Sequence, residues 1–142
     1  MTTALRKGPV ELFLDAASVA TGQSVGKGVP VIVDANGAAT PCTASTSLAT
    51  HVAYSTEDGT WPATAGDKIG VVPIGSPVTI PILVGTGGAT CGAYGVATTD
   101  GVTDEVVGGG TTLIVPICCF RETSATAGTF VGGWLGVSRT VS

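Results

Sequence analysis

Charge is what this 142-residue chain has least of: Asp, Glu, Lys and Arg together make 11% of it, against about 25% in an ordinary soluble domain. The six basic residues (Arg6, Lys7, Lys27, Lys68, Arg121 and Arg139) are scattered apart from one adjacent pair, and the net charge is −4. A nucleic-acid-binding surface needs clustered cations, so that class is excluded. Aromatic residues reach only 5%, and there is a single histidine and a single methionine. Long helix-forming side chains are also few, which argues against a helical bundle or coiled coil. Long apolar runs are missing too, although the mean hydropathy is +0.49. The uncharged stretch from Ile69 to Thr99 is interrupted by Pro73, Pro77, Pro81 and seven glycines, so no membrane-spanning helix fits there. Near the start, Arg6-Lys7 and the following Val-Glu-Leu-Phe-Leu imitate an export signal, but Glu11 and Asp15 cut its apolar region short. Synthesis in a cytosol is expected.

What is present is glycine (22 residues), proline (8) and an apolar fraction of 44%, enough for one domain with a real core. The dominant period is two. Val10, Leu12 and Leu14 alternate with Glu11, Phe13 and Asp15, and Val29, Val31 and Val33 alternate with Pro30, Ile32 and Asp34. Asp34-Ala-Asn-Gly37 then supplies hairpin chemistry, and Thr56-Glu-Asp-Gly59 a second turn. Leu113 to Phe120 is apolar on both faces, as in a strand buried between layers. Only Leu12 to Val19 offers a short helix, near residues 12–20. Turn signals about every ten residues predict an all-β fold: a small single-domain antiparallel β-sandwich or barrel over residues 1–142, with extended termini at 1–8 and 139–142. No domain boundary and no internal repeat is read. From Val72 to Val84 the even positions are nearly all apolar, and the three prolines fall on odd ones. Either one continuous strand carries its missing N–H groups on one edge, or the strand breaks at Gly75-Ser76. Both make this an edge or boundary element.

Candidate chemistry is sparse. Gly22-Gln23-Ser24-Val25-Gly26 matches the G-x-S-x-G nucleophile elbow, and Asp34 and His51 follow in the right order. That elbow must join a central parallel strand to a helix in a much larger sheet, and this chain has no such pattern, so a glycine turn is the better reading. Gly26-Lys27-Gly28 lacks the spacing and the Ser or Thr of a phosphate loop, and Gly108-Gly109-Gly110 lacks the dinucleotide spacing. Cys42, Cys91, Cys118 and Cys119 form no C-x-x-C pair and read as buried free thiols acting as small hydrophobes, most of them unreactive until unfolding, rather than zinc ligands. Glu57-Asp58, Asp67, Asp100 and Asp104-Glu105 sit in glycine-rich sequence and are explained by turns, although such loops also fit weak calcium binding. The chain is read as a non-enzyme, with no catalytic, cofactor-binding or metal-ligating residue and no cofactor.

Stretches such as Ala35 to Thr56 and Ser124 to Ser138 carry no formal charge. Charge depletion also distinguishes the core of a protein–protein interface from free surface. Much of the outside is therefore expected to pack against another molecule. The segments Val-Ala-Thr-Gly-Gln-Ser-Val (19–25), Gly-Val-Pro-Val-Ile-Val (28–33), Ala-Thr-Ala-Gly-Asp-Lys-Ile-Gly-Val (63–71) and the glycine-rich run 84–101 resemble tailed-bacteriophage capsid decoration, or cement, proteins. The likeness spans residues 19–137 as a texture of Gly, Ala, Val and Asp. It implies a homo-oligomer, trimeric or else dimeric, on the capsid exterior, clamping the major capsid protein without nucleic acid or membrane. The alternative is a tail, fibre or other surface module recognising a receptor or glycan, for which Trp61 and Trp134 would be the aromatic platforms.

Overall fold

The computed structural model describes residues 14–105 and 115–137. Among them there is no helix, and so none long and apolar enough to cross a membrane. The first half of the chain contributes β1 (Asp15–Val19), β2 (Ser24–Val25), β3 (Pro30–Val33), β4 (Ala38–Pro41), β5 (His51–Thr56), β6 (Ala63–Thr64) and β7 (Lys68–Pro73). Five of these close into a barrel in the order β1-β4-β3-β5-β7, and β2 pairs with β6 beside it. The second half contributes β8 (Thr79–Leu83), β9 (Tyr94–Thr98), β10 (Gly101–Asp104), β11 (Pro116–Phe120) and β12 (Phe130–Trp134), a sheet ordered β10-β9-β11-β12-β8. The all-β expectation holds. The arms at 1–8 and 139–142 and the periodic residues 10–13 lie outside the described residues.

Period-two patterning explains most elements. In β1, Ala17 and Val19 turn into the first barrel with Val31, Ala39, Ala53, Ile69 and Val71. At most one short helix is expected near 12–20, and where that segment is described it is a strand instead. Asp15–Val19 hydrogen-bonds to β7 on one side and β4 on the other, and two ladders with an inward apolar face outweigh the helix preference of Ala-Ala. The Asp34–Gly37 hairpin forms as read: Asp34 Oδ1 accepts the N–H groups of Asn36 at 2.8 Å and Ala38 at 2.9 Å. The strand from Val72 to Val84 breaks at Gly75, whose N–H donates to Leu135 O at 2.7 Å. The edge expectation holds for β8 only. Leu83 donates away from β12, to Gly28 O at 3.1 Å, and Pro81 two residues earlier faces that same side. β7 is instead paired on both sides.

The two halves repeat one design, which corrects the reading of no internal repeat. In each, the first strand lies parallel to the third and antiparallel to the fifth; β1 meets β4, and Val84, just past β8, bridges Val102 in β10. Equivalent hydrogen bonds recur: Gly66 N to Val19 O (2.9 Å) and Gly128 N to Val84 O (2.8 Å), Ala20 N to Ala39 O and Gly85 N to Val102 O (both 2.9 Å). Gly28 N reaches Ala53 O, and Gly92 N reaches Phe120 O. These two glycines have φ of +76° and +89°, a left-handed turn that side chains disfavour. In register-matched alignment Ala63-Thr-Ala-Gly66 falls on Ala125-Thr-Ala-Gly128. The β2–β6 ribbon is reduced in the second half to the bridge Ala89–Ser124.

The halves are not independent units. Cys42, Ala49, Val52 and Val72, all from the first half, belong to the same buried cluster as Ile80, Ile82, Val102, Phe120 and Leu135 of the second half. Val52 and Val72 adjoin the inward Ala53 and Val71, so they point outward from their own barrel, against its neighbour.

Candidate interaction face

β12 alternates sharply: Val131 and Gly133 are buried, whereas Phe130 is 48% exposed and Trp134 half-buried. Phe130 and Trp134 thus stand on the outer side of the second sheet. Register places Trp134 beside Cys119 of β11, and Cys119 beside Tyr94 of β9, which is 51% exposed. On the other side Trp134 faces Thr79, and Phe130 faces Leu83. Gly132 lies between the two β12 aromatics and leaves room for Glu122, whose Oε1 accepts the Gly132 N–H at 2.6 Å. Two cations lean on this face. Lys27 Nζ sits 5.6 Å from the Phe130 ring centre, and the Arg121 guanidinium 5.4 Å from that of Trp134, within cation–π range. Three aromatics and two cations are gathered here from residues far apart in sequence. Trp61, by contrast, packs against the first barrel's core.

The G-x-S-x-G constellation does not assemble. Ser24 is paired with Thr64 on the β2–β6 ribbon, and the Asp34 carboxylate is occupied by its own turn. The His51 ring contacts Thr50 Oγ1 through Nδ1 at 2.7 Å and Asp15 Oδ2 through Nε2 at 2.8 Å. Among the described residues, no hydrogen bond joins any two of Ser24, Asp34 and His51.

The remaining carboxylates brace loops. Asp100 accepts both the N–H (2.9 Å) and the hydroxyl (2.6 Å) of Thr86, and Asp104 does the same with Thr90 at 2.7 and 2.6 Å. The Thr86 hydroxyl, then its N–H, holds the Asp100 carboxyl below its ordinary 3.8. Asp58 and Asp67 accept the N–H groups of Thr60 and Thr64. Glu57, Asp58 and Asp67, with Lys68 among them, border an open depression of about 180 Å³ on the first barrel. No group of three His, Cys, Asp or Glu side chains able to hold a metal occurs among the described residues.

The buried-thiol expectation holds for Cys42 and Cys118 and is corrected elsewhere: Cys119 is half-buried on the outer side of its strand, and Cys91 is exposed in the turn before β9. Burial, with Cys119 alongside, pushes the Cys118 thiol up to about 12. Strand alternation separates Cys118, inside, from Cys119, on the outer face, as the adjacent pair implied. The outer aromatic face was not legible, because its members come from β8, β9, β11, β12 and the β2–β3 loop. The i, i+2, i+4 spacing of Phe130, Gly132 and Trp134 was the only available signal. No protein-family model matches this chain, and no curated protein matches it.

Proposed function

We propose that the chain is a structural virion protein that binds the outside of a capsid lattice and clamps neighbouring major capsid subunits. The observation that carries this reading is the kind of side chain left exposed. Leu14, Ile32, Leu48, Tyr94 and Phe130 all face solvent on a charge-poor β scaffold. Among the described residues no Lys or Arg is paired with a carboxylate, and the one contact of that kind is the His51 ring on Asp15. Such surface is depleted of charge in the way interface cores are. In this reading the protein is a homo-oligomer, a trimer ahead of a dimer, made in the host cytoplasm and seated on the capsid exterior without catalysis. Each copy bridges several shell subunits, so weak single contacts combine through effective concentration. The resemblance of residues 19–137 to decoration proteins supports the same reading. Cosedimentation of the purified protein with expanded heads tests it: saturable, stoichiometric binding is expected, and absence of binding removes it.

A second reading, a surface module for a receptor or glycan, is favoured by the grouping of Tyr94, Phe130 and Trp134 on one sheet face. Tight binding to a glycan without binding to heads would select it.

A further inference from the structure

On the first barrel, register joins Pro30, Val52 and Val72 across three neighbouring strands. All three are buried, and Val52 and Val72, completely so, belong to the cluster shared with the second sheet. The repeat maps this row onto Tyr94, Cys119 and Trp134, joined by the same register across β9, β11 and β12. The first half of the molecule therefore covers this row with the second sheet, while the second half leaves it partly open to solvent with Tyr94 and Trp134 flanking Cys119.

Charge indicates what fits there. The chain carries a net −4, yet on this face two cations, Lys27 and Arg121, outnumber the one carboxylate, Glu122, which accepts the Gly132 N–H. The complementary surface is acidic on balance, and this chain has one: Glu57, Asp58 and Asp67 outnumber Lys68 around the depression on the first barrel. Two copies meeting through the same face would oppose like cations, whereas head-to-tail docking sets cations against carboxylates. We propose that the Tyr94–Cys119–Trp134 face, with Phe130, docks on the acidic first-barrel surface of a second copy of this chain. The proposal rests on the homo-oligomer part of the reading above and gives it a surface. Head-to-tail contacts close into rings when the rotation permits, a trimer among them.

Sedimentation velocity of the full chain across the micromolar range tests it, with the double variant Tyr94→Ser/Phe130→Ser and the single variant Arg121→Glu. Both aromatics are about half exposed, so the variants should keep the wild-type thermal transition. The wild-type protein should sediment as an oligomer, and the double variant should dissociate at least about 30-fold more readily, as removal of hot-spot aromatics does. Arg121→Glu should weaken association, and Asp58→Lys in the same chain should partly restore it. Cys119 should alkylate slowly in the oligomer and faster in the dissociated variants. A wild-type chain that stays monomeric overturns the proposal, as does association that none of the substitutions alters. Association abolished by the substitutions supports it whether or not heads are bound, so failure of the capsid reading is scored separately.

Discussion

Val52→Ala tests whether the first barrel and the second sheet behave as one folding unit. Val52 is fully buried, yet it points out of its own barrel into the cluster containing Ile80, Ile82 and Phe120. The substitution removes two methyl-sized groups, about 1.6 kcal/mol of transfer free energy at roughly 0.8 kcal/mol each. The cavity left between the barrel and the second sheet adds a further term, for a total of about 2–3 kcal/mol. For a chain of this length that lowers Tm by about 6–12 °C. The two tryptophans report on opposite halves: Trp61 packs on the first core and Trp134 lies on β12. Urea unfolding of Trp61→Phe and Trp134→Phe variants, each with and without Val52→Ala, isolates each signal. The two probes should shift together by the same free energy. A Trp134 transition that stays in place while the Trp61 transition moves would refute the shared-core argument.

Gly28→Ala should destabilise far more than Gly92→Ala, as measured by thermal unfolding. Both glycines have positive φ, which costs a side chain about 1–2 kcal/mol, but only at Gly28 would a Cβ also sit 2.6 Å from Leu83 N. Quantitative thiol labelling at pH 8 should modify Cys91 first, with Cys42 and Cys118 reacting only on unfolding, since Cys118 is buried and its thiol is pushed up to about 12. Asp100, held below 3.8 by Thr86, stabilises the fold above its unfolded pKa and loses that contribution as pH falls from about 3.8 through the lower folded value. An Asp100→Asn variant should therefore lose less stability than the wild type on acidification through that window.

Local patterning was a sound guide wherever a strand alternated cleanly beside a turn. Val31, Ile32 and Val33 ahead of Asp34-Ala-Asn-Gly37 formed the expected hairpin, and the proline-bounded break at Gly75 came out as a junction. Asp15–Val19 stayed open between strand and short helix because its pairing partners, β4 and β7, lie far along the chain, and such long-range ladders leave no local trace. The duplication was written faintly, in Ala-Thr-Ala-Gly at 63–66 and 125–128 and in Val-x-Thr-Gly at 19–22 and 84–87. Loop-length changes between the halves hide it until hydrogen-bond registers align the strands. The aromatic face was least legible of all, since it depends on which side of each strand meets solvent.

The most direct test of the account compares binding of the purified protein to expanded heads and to dispersed shell subunits at two salt concentrations. Clamping by several contacts at once predicts saturable, stoichiometric binding to heads and weak or no binding to free subunits. Because the exposed faces are mainly uncharged, moderate salt should loosen head binding only slightly. Equal affinity for dispersed subunits, or no binding to heads, would contradict the account.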